Sequence, residues 1–295
     1  MQHWDVIIAG GGPAGLTAAI YCARAGKRAL VLEGAFAGGQ VSTTTRVENY
    51  PGFPEGVDGI DLSMSMETQA RAQGAVLRNE AIQSFDLAHL TLTTAKDEYT
   101  AASIILAMGA TPRPLGVPGE ATLRGHGVSY CATCDGALFK GKAVAVIGGG
   151  DTACEDASYL SALADKVYLI HRRDTLRASP ALADKALALP NVEPVWNATV
   201  THMQGDVSLQ GLTVDTPEGM QSLDVQGVFV AVGTQPQTAL VQGQLDLTSD
   251  GYIITNDRMA TNLPHVYAAG DIREKPLRQI VTAVSDGAVA AYQTY

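Results

Sequence analysis

The pattern that most restricts how this chain can fold is a glycine-rich turn set between an apolar strand and a small-residue helix, and it occurs twice. In the first copy Asp5-Val6-Ile7-Ile8-Ala9 runs into Gly10-Gly11-Gly12-Pro13-Ala14-Gly15, and residues 16–25 continue as a helix. Gly10 permits the tight turn, Gly12 lets the backbone approach a pyrophosphate, and Gly15 lets helix and strand pack closely. The N–H groups at the start of the helix then offer partial positive charge to the phosphates. The next strand, residues 28–32, ends at Glu33, where a carboxylate can accept hydrogen bonds from both hydroxyls of an adenosine ribose.

In the second copy the strand 143–147 leads into Gly148-Gly149-Gly150-Asp151-Thr152-Ala153 and a helix through Leu163. The strand 166–170 ends at His171, in register with Glu33, but the position now opens the run His171-Arg172-Arg173, with Arg177 close behind. Guanidinium groups in place of the ribose carboxylate suit the extra 2′-phosphate of NADP. The chain is therefore expected to hold two dinucleotides, one without and one with that phosphate.

A further duplication frames these units. Residues 104–112 resemble residues 228–236, both apolar strands that leave through a glycine and a proline, as a chain does when it crosses between domains. The expectation is an α/β protein of two Rossmann-like three-layer ββα domains. One is discontinuous, 1–113 and 241–295, and the other, 114–240, is inserted into it. β-Meanders are expected over 91–100 and 209–223, a return strand over 251–255, and a closing helix over 279–292.

The inserted part carries Ser129-Tyr130-Cys131-Ala132-Thr133-Cys134-Asp135-Gly136. Two cysteines at this spacing can close and reopen a disulfide, a two-electron switch with one thiol of lowered pKa. Asp135 is near enough in sequence to hold or deliver the proton such a cycle needs. The competing reading is half of a zinc site. Zinc wants two more ligands, whereas Cys22 and Cys154 are isolated and the histidines show no ligand spacing, so redox is preferred and no metal is expected. Cys22 and Cys154 fall in helices, where a small apolar thiol packs well.

With 295 residues, net charge −10 and only 17% charged residues, the chain suits a well-buried acidic enzyme and argues against a nucleic-acid groove. No apolar run approaches the ~18 residues of a membrane helix. The first residues lack the basic and apolar regions of a signal peptide, which makes a reducing cytoplasm the default setting.

Taken together, the chain resembles the bacterial-type, low-molecular-weight thioredoxin reductases. The resemblance rests on Gly10–Gly15, Gly38-Gly39-Gln40, the run 47–52 with Asn49, Cys131–Asp135, Gly148–Ala153, the His171-Arg172-Arg173-Asp174 run with Arg177, Ala269-Gly270-Asp271 and Arg278-Gln279. Glutathione-reductase-type relatives carry their cysteine pair near the N-terminus instead, and that placement separates the two branches. The resemblance implies FAD held by Gly10, Gly12, Pro13, Ala14, Gly15 and Glu33. Gln40 and Asn49 would lie beside the isoalloxazine ring, Asp271 at the ribityl or pyrophosphate region, and Arg278 and Gln279 at the pyrimidine edge, with Gly38, Gly39, Gly270 and Ile280 also contacting FAD. It implies NADPH held by Gly148, Gly150, Asp151, Thr152 and Ala153, with His171, Arg172, Arg173 and Arg177 around the 2′-phosphate.

In that family Cys134 is the sulfur next to the flavin, Cys131 attacks the partner, and Asp135 is the general acid. Electrons pass from NADPH to FAD, to the Cys131–Cys134 disulfide and then to thioredoxin. The domains rotate during the cycle, with the crossings near 111–112 and 233–236 as the expected hinge. A homodimer is implied, as is a last helix trimmed relative to the usual family end. Three alternatives stay open: another thiol partner, a ferredoxin-linked reductase and a dithiol oxidase. The arginine run argues against the last two, which lack an NADP signature. A non-enzymatic nucleotide-binding regulator would leave Cys131, Cys134 and Asp135 without a purpose.

Overall fold

The computed structural model describes residues 2–34, 37–44 and 46–295. They divide into two compact units, Met1–Thr111 with Gln235–Tyr295, and Pro112–Thr234. The break at Gln235 lies inside the 233–236 crossing read from the sequence.

The first unit begins with β1 (Gln2–Ala9), α1 (Pro13–Arg24) and β2 (Ala29–Glu33). Pro13 opens α1 at a position where its missing N–H is no loss. α2 (Gly59–Ala72) is capped by Asp58, whose carboxylate accepts from the N–H of Ile60 at 2.7 Å. β3 (Val76–Asn79), β4 (Ile82–Asp86), β5 (Thr91–Thr94), β6 (Glu98–Leu106) and β7 (Ala110–Pro112) follow.

The second unit contains β8 (Val128–Ser129), α3 (Ala132–Asp135), β9 (Ala143–Gly148), α4 (Asp151–Ser161), β10 (Lys166–Ile170), α5 (Pro180–Leu187) and β11 (Val192–Val195). β12 (Thr199–Gln204), β13 (Gly211–Thr216), β14 (Gly219–Leu223), β15 (Gly227–Ala231) and β16 (Thr234–Pro236) complete this stretch. The chain then re-enters the first unit, adding β17 (Val266–Ala268) and α6 (Ile280–Tyr292).

Each unit is built on the same parallel core. In the first the order is β3-β2-β1-β6, and in the second β11-β10-β9-β15. On the edge away from β1, β6 is long enough to serve two neighbours: its first residues pair antiparallel with β5, and Ile104–Leu106 pair parallel with β17. β8 adds a fifth parallel strand to the second sheet beside β15. The expected meanders are present and start earlier than read, since β4-β5-β6 and β12-β13-β14 form antiparallel sets. The expected return strand at 251–255 is reduced to isolated bridges at Ile253, because Gly251 bends the backbone to φ +87°.

Alternation along each strand divides the core. Val6 and Ile8 pack with Leu16 of α1 on one face of the first sheet, and Ile7 and Ala9 pack with Leu30, Leu106 and Val266 on the other. In the second sheet Val144, Val146 and Phe229 face α4, while Ala145, Val228 and Val230 face the β-meander. Each such fully buried aliphatic or aromatic side chain contributes about 1.5–3 kcal/mol. Near-continuous apolar strands of this kind belong in a sheet covered on both faces. Among the described residues no helix is long and apolar enough to cross a membrane, and no group of metal-ligating side chains assembles.

Candidate active site

In both units the glycine turns lie at the carboxyl ends of the parallel strands, where open α/β sheets bind ligands. Gly10 sits at φ +105°, and a methyl group on it would come within 2.7 Å of the Ala107 carbonyl carbon. A methyl on Gly15 would collide with the carbonyl oxygen of Gly10, so the first turn of α1 closes onto the loop only with glycine there. Gly12 has nothing within 4 Å of such a methyl: its Cα faces open space at the mouth of the turn.

Around this mouth the fold gathers the other residues singled out for the first unit. The N–H of Gly38 donates to the Gly11 carbonyl at 2.7 Å, and a Cβ on Gly39 would lie 3.4 Å from the Gly12 Cα. Gln40 donates to the Ala110 carbonyl. Asn49 donates to the Gln279 side chain at 2.9 Å, and Gln279 caps α6, of which Ile280 is the first residue. At the end of β2 the two carboxylate oxygens of Glu33 each accept a backbone N–H, from Gly11 at 2.7 Å and Gly34 at 2.8 Å. That fixes the carboxylate beside the loop with lone pairs to spare.

Gly270 turns at φ +80°, with a Cβ there only 2.9 Å from that of Ala14, so it approaches the start of α1 closely. Beside it, Asp271 has one carboxylate oxygen buried without a partner, and burial pushes its pKa up. The Nε of Arg278 is likewise buried and unpartnered, with its guanidinium 4.0 Å over the Tyr252 ring. Unmet buried polar atoms around an open glycine mouth are what a polar ligand would satisfy. These residues therefore fit a flavin dinucleotide.

Sequence reasoning missed Asp286, on the inner face of α6 and only 7% exposed. Its carboxylate accepts from the Gly270 N–H at 3.0 Å and from Lys275 at 2.7 Å, with Arg273 at 3.4 Å. Arg273 in turn donates to Thr255 at 2.7 Å. The next residue, Gly287, is pressed on the Ala14 backbone, where a Cβ would lie 3.0 Å from the carbonyl carbon. One acidic side chain thus ties α6, the Gly270 turn and two cations together. No local motif signals it.

The second turn repeats the first. A methyl on Gly148 would meet the Ala231 carbonyl carbon at 3.1 Å and the Ala153 Cβ at 2.8 Å, while Gly150 faces open space. Asp151 accepts the N–H of Ser179 at 2.7 Å, and the N–H of Arg177 donates to the Gly149 carbonyl at 2.6 Å, which folds the arginine segment back onto the loop. Thr152 is exposed in the first turn of α4 and Ala153 is buried. His171 is 5% exposed with its ring against Gly149, where any Cβ would strike the imidazole. Burial, with Arg177 and Arg173 nearby, holds its pKa down, so the ring is neutral. Arg172, Arg173 and Arg177 are all exposed, and among the described residues no carboxylate forms an ion pair with them. Clustered, unpaired guanidiniums on a chain of net charge −10 fit a 2′-phosphorylated nucleotide.

Cys131 and Cys134 form a disulfide across the short α3, with Cα atoms 5.3 Å apart and both residues partly exposed. α3 is seated by Gly136, whose Cα faces Leu160 and Tyr159 of α4 closely enough that a Cβ would lie 2.9 and 3.0 Å from them. Asp135 follows Cys134 directly, and burial pushes its pKa up. Its carboxylate accepts from the Ser129 hydroxyl at 2.6 Å. Cys22 and Cys154 are buried free thiols.

This arrangement can be set against known proteins. The family model for the pyridine nucleotide-disulphide oxidoreductases matches residues 4–287. A thioredoxin reductase of Streptomyces coelicolor is 46% identical, with 97% of this chain and 91% of the relative covered. One from Treponema pallidum is 43% identical, with 98% and 95% covered. Among solved structures, thioredoxin reductase from Streptococcus pyogenes superposes with a TM-score of 0.94 at 39% identity, covering 99% of this chain and 97% of that one. The chain belongs to the pyridine nucleotide-disulphide oxidoreductase family, on its thioredoxin reductase branch.

Proposed function

We propose that the protein is an NADPH-dependent thioredoxin reductase, with FAD in the cradle of the first unit, NADPH at the second glycine turn, and Cys131–Cys134 as the exchanging disulfide. The observation that carries this reading is the Cys131–Cys134 disulfide, backed by a half-buried carboxyl, in the unit whose nucleotide turn bears the unpaired arginines. Glu33 orients the adenosine ribose of the flavin nucleotide. Asp271 and Arg278, with unmet buried atoms, hold its polar middle and its ring edge. Arg172, Arg173 and Arg177 hold the 2′-phosphate, a group a planar guanidinium matches better than an ammonium. When bound, the flavin supplies two-electron transfer between nicotinamide and disulfide.

Once the pair is a dithiol, Cys131 as thiolate attacks the disulfide of thioredoxin. A bond forms between Cys131 and one partner sulfur while the partner's S–S bond breaks, and Asp135 gives a proton to the leaving sulfur. Cys134 then attacks Cys131, passing its own proton to Asp135. The Cys131–Cys134 disulfide re-forms, and the second partner sulfur leaves to take the proton Cys131 had released. Two electrons and two protons move to the partner. The reading carries with it a homodimer and a cytoplasmic setting, where reducing conditions keep such a pair cycling.

The test is an anaerobic titration of the yellow protein with NADPH and with NADH while the flavin absorbance is followed. Rapid bleaching by NADPH, slow bleaching by NADH and recovery of colour on adding oxidised thioredoxin are expected. Bleaching by reduced ferredoxin and by neither nucleotide would replace this reading with the ferredoxin-linked one.

A further inference from the structure

Ser129 ends β8, two residues before Cys131, and is 6% exposed. It is paired in register with Phe229 of β15, which fixes its backbone within the sheet. Its hydroxyl has three polar neighbours that converge on the redox centre, the farthest being the Cys131 carbonyl at 3.4 Å. It donates to the Asp135 carboxylate at 2.6 Å, and it accepts the backbone N–H of Cys131 at 3.1 Å. One oxygen therefore bridges the acid on the far side of α3 to the backbone of the sulfur-bearing residue at its start. α3 itself has little to hold this geometry: it is a single turn in which the N–H groups of Cys134 and Asp135 share the Cys131 carbonyl at 3.3 and 3.2 Å.

We propose that Ser129 is the positioning residue of the redox centre, clamping the Asp135 carboxyl to the Cys131 backbone so that acid and sulfur keep one geometry as the disulfide opens and closes. This rests on the reading of Asp135 as the acid. Sheet-anchored and buried, the hydroxyl does not move with the sulfurs, and a short bond to a carboxylate favours the charged form.

Among the described residues Ser129 is the one side chain hydrogen-bonded to this carboxyl. α3 packs on α4, which carries Glu155, Asp156 and Tyr159. Asp156 is itself pushed up to about 7 by burial and Glu155. The Tyr130 hydroxyl is taken by Glu120 at 2.8 Å, and the Lys142 ammonium is turned to the Leu138 carbonyl at 3.1 Å; Lys140 is exposed. β15 carries no titratable side chain. None of these shifts Asp135: burial raises its pKa, and the Ser129 hydroxyl pulls it back. Removing the hydroxyl removes the lowering influence, so the carboxyl stays protonated to higher pH.

The experiment compares wild type, Ser129→Ala, Ser129→Thr and Asp135→Asn. It reads kcat against pH for thioredoxin reduction and, separately, an isotope-edited infrared titration of the Asp135 carboxyl. Ser129→Ala is expected to lower kcat at neutral pH by roughly tenfold, part of the ~10²–10⁴ that a placed acid supplies. The loss of rate at alkaline pH should move to higher pH, and the infrared titration should move the same way. Flavin absorbance and KM for NADPH should stay at wild-type values, and Ser129→Thr, which keeps the hydroxyl, should restore both pH readouts. An alkaline limb and carboxyl titration unchanged in Ser129→Ala, with Asp135→Asn inactive, would overturn the positioning role and leave the acid in place. Wild-type turnover in Asp135→Asn would overturn the acid itself, and the role of Ser129 with it.

Discussion

The two glycine turns differ less in backbone than in what lies under them. Gly10 and Gly148 are both pressed against a carbonyl of the neighbouring strand, Gly12 and Gly150 both face open space, and both loops follow a central strand of a 3-2-1-4 parallel core. Beneath the middle glycine the units part company. Gly11 stands over Glu33, 3.4 Å from a would-be Cβ, whereas Gly149 stands over the neutral ring of His171 with three arginines around it. The strand-turn-helix scaffold is repeated, and on the function proposed above the nucleotide is chosen by the residue at the end of the second strand, Glu33, or just after it, His171. A second difference is mechanical. Behind the first turn, Asp286 and its two cations brace the Gly270 turn that abuts Ala14, while the second turn is itself held by backbone bonds from Arg177 and Ala178 to Gly149.

That brace is where the comparison can be broken most severely. Asp286→Ala leaves Lys275 and Arg273, 4% and 12% exposed, without their anion. Removing one member of a buried ion cluster costs about 3–5 kcal/mol. The expected result is loss of flavin on gel filtration and a lowered melting transition for the first unit, with NADPH binding to the second unit kept. A variant that retains flavin and melts like wild type would show that the Gly270 turn holds itself.

The third glycine offers a sharper contrast. Gly15 and Ala153 occupy the same place in the two loops, yet a methyl on Gly15 would strike the Gly10 carbonyl oxygen. Gly15→Ala should cost on the order of 3 kcal/mol by overpacking and appear as weakened flavin binding. Ala153→Gly, which removes a methyl from a helix, should cost only about 1 kcal/mol and leave NADPH binding near wild type. Equal effects at the two positions would mean the loops close onto their strands in the same way.

Such contrasts mark how far the sequence could be read. The glycine turns, Glu33, the arginine run and the cysteine pair were legible because each is local: strand, turn and helix are contiguous, and their chemistry follows from spacing. Asp286 was not, since it lies one residue before Gly287 on a helix of ordinary composition and meets Gly270 only after α6 packs across α1. Ser129 lay inside the quoted cysteine stretch without a role, because only β8 pairing with β15 aims its hydroxyl at Asp135.

The finest distinction between the cradles is charge. Among the described residues Arg172, Arg173 and Arg177 are exposed and have no carboxylate partner, so on the function proposed above each would act on the nucleotide through direct contact and not through the fold. Replacing any one by Ala should raise KM for NADPH roughly tenfold, the scale of one charge-assisted hydrogen bond, and leave KM for NADH and the melting transition unchanged. Replacing all three should bring the two nucleotides close to parity. Raising the salt concentration should erode the preference for NADPH in the wild type and much less in the triple variant, because exposed charges are screened over about 8–10 Å at physiological ionic strength. If NADPH preference survived in the triple variant, the neutral ring of His171 beneath Gly149 would have to carry it. The comparison between the cradles would then turn on shape instead of charge.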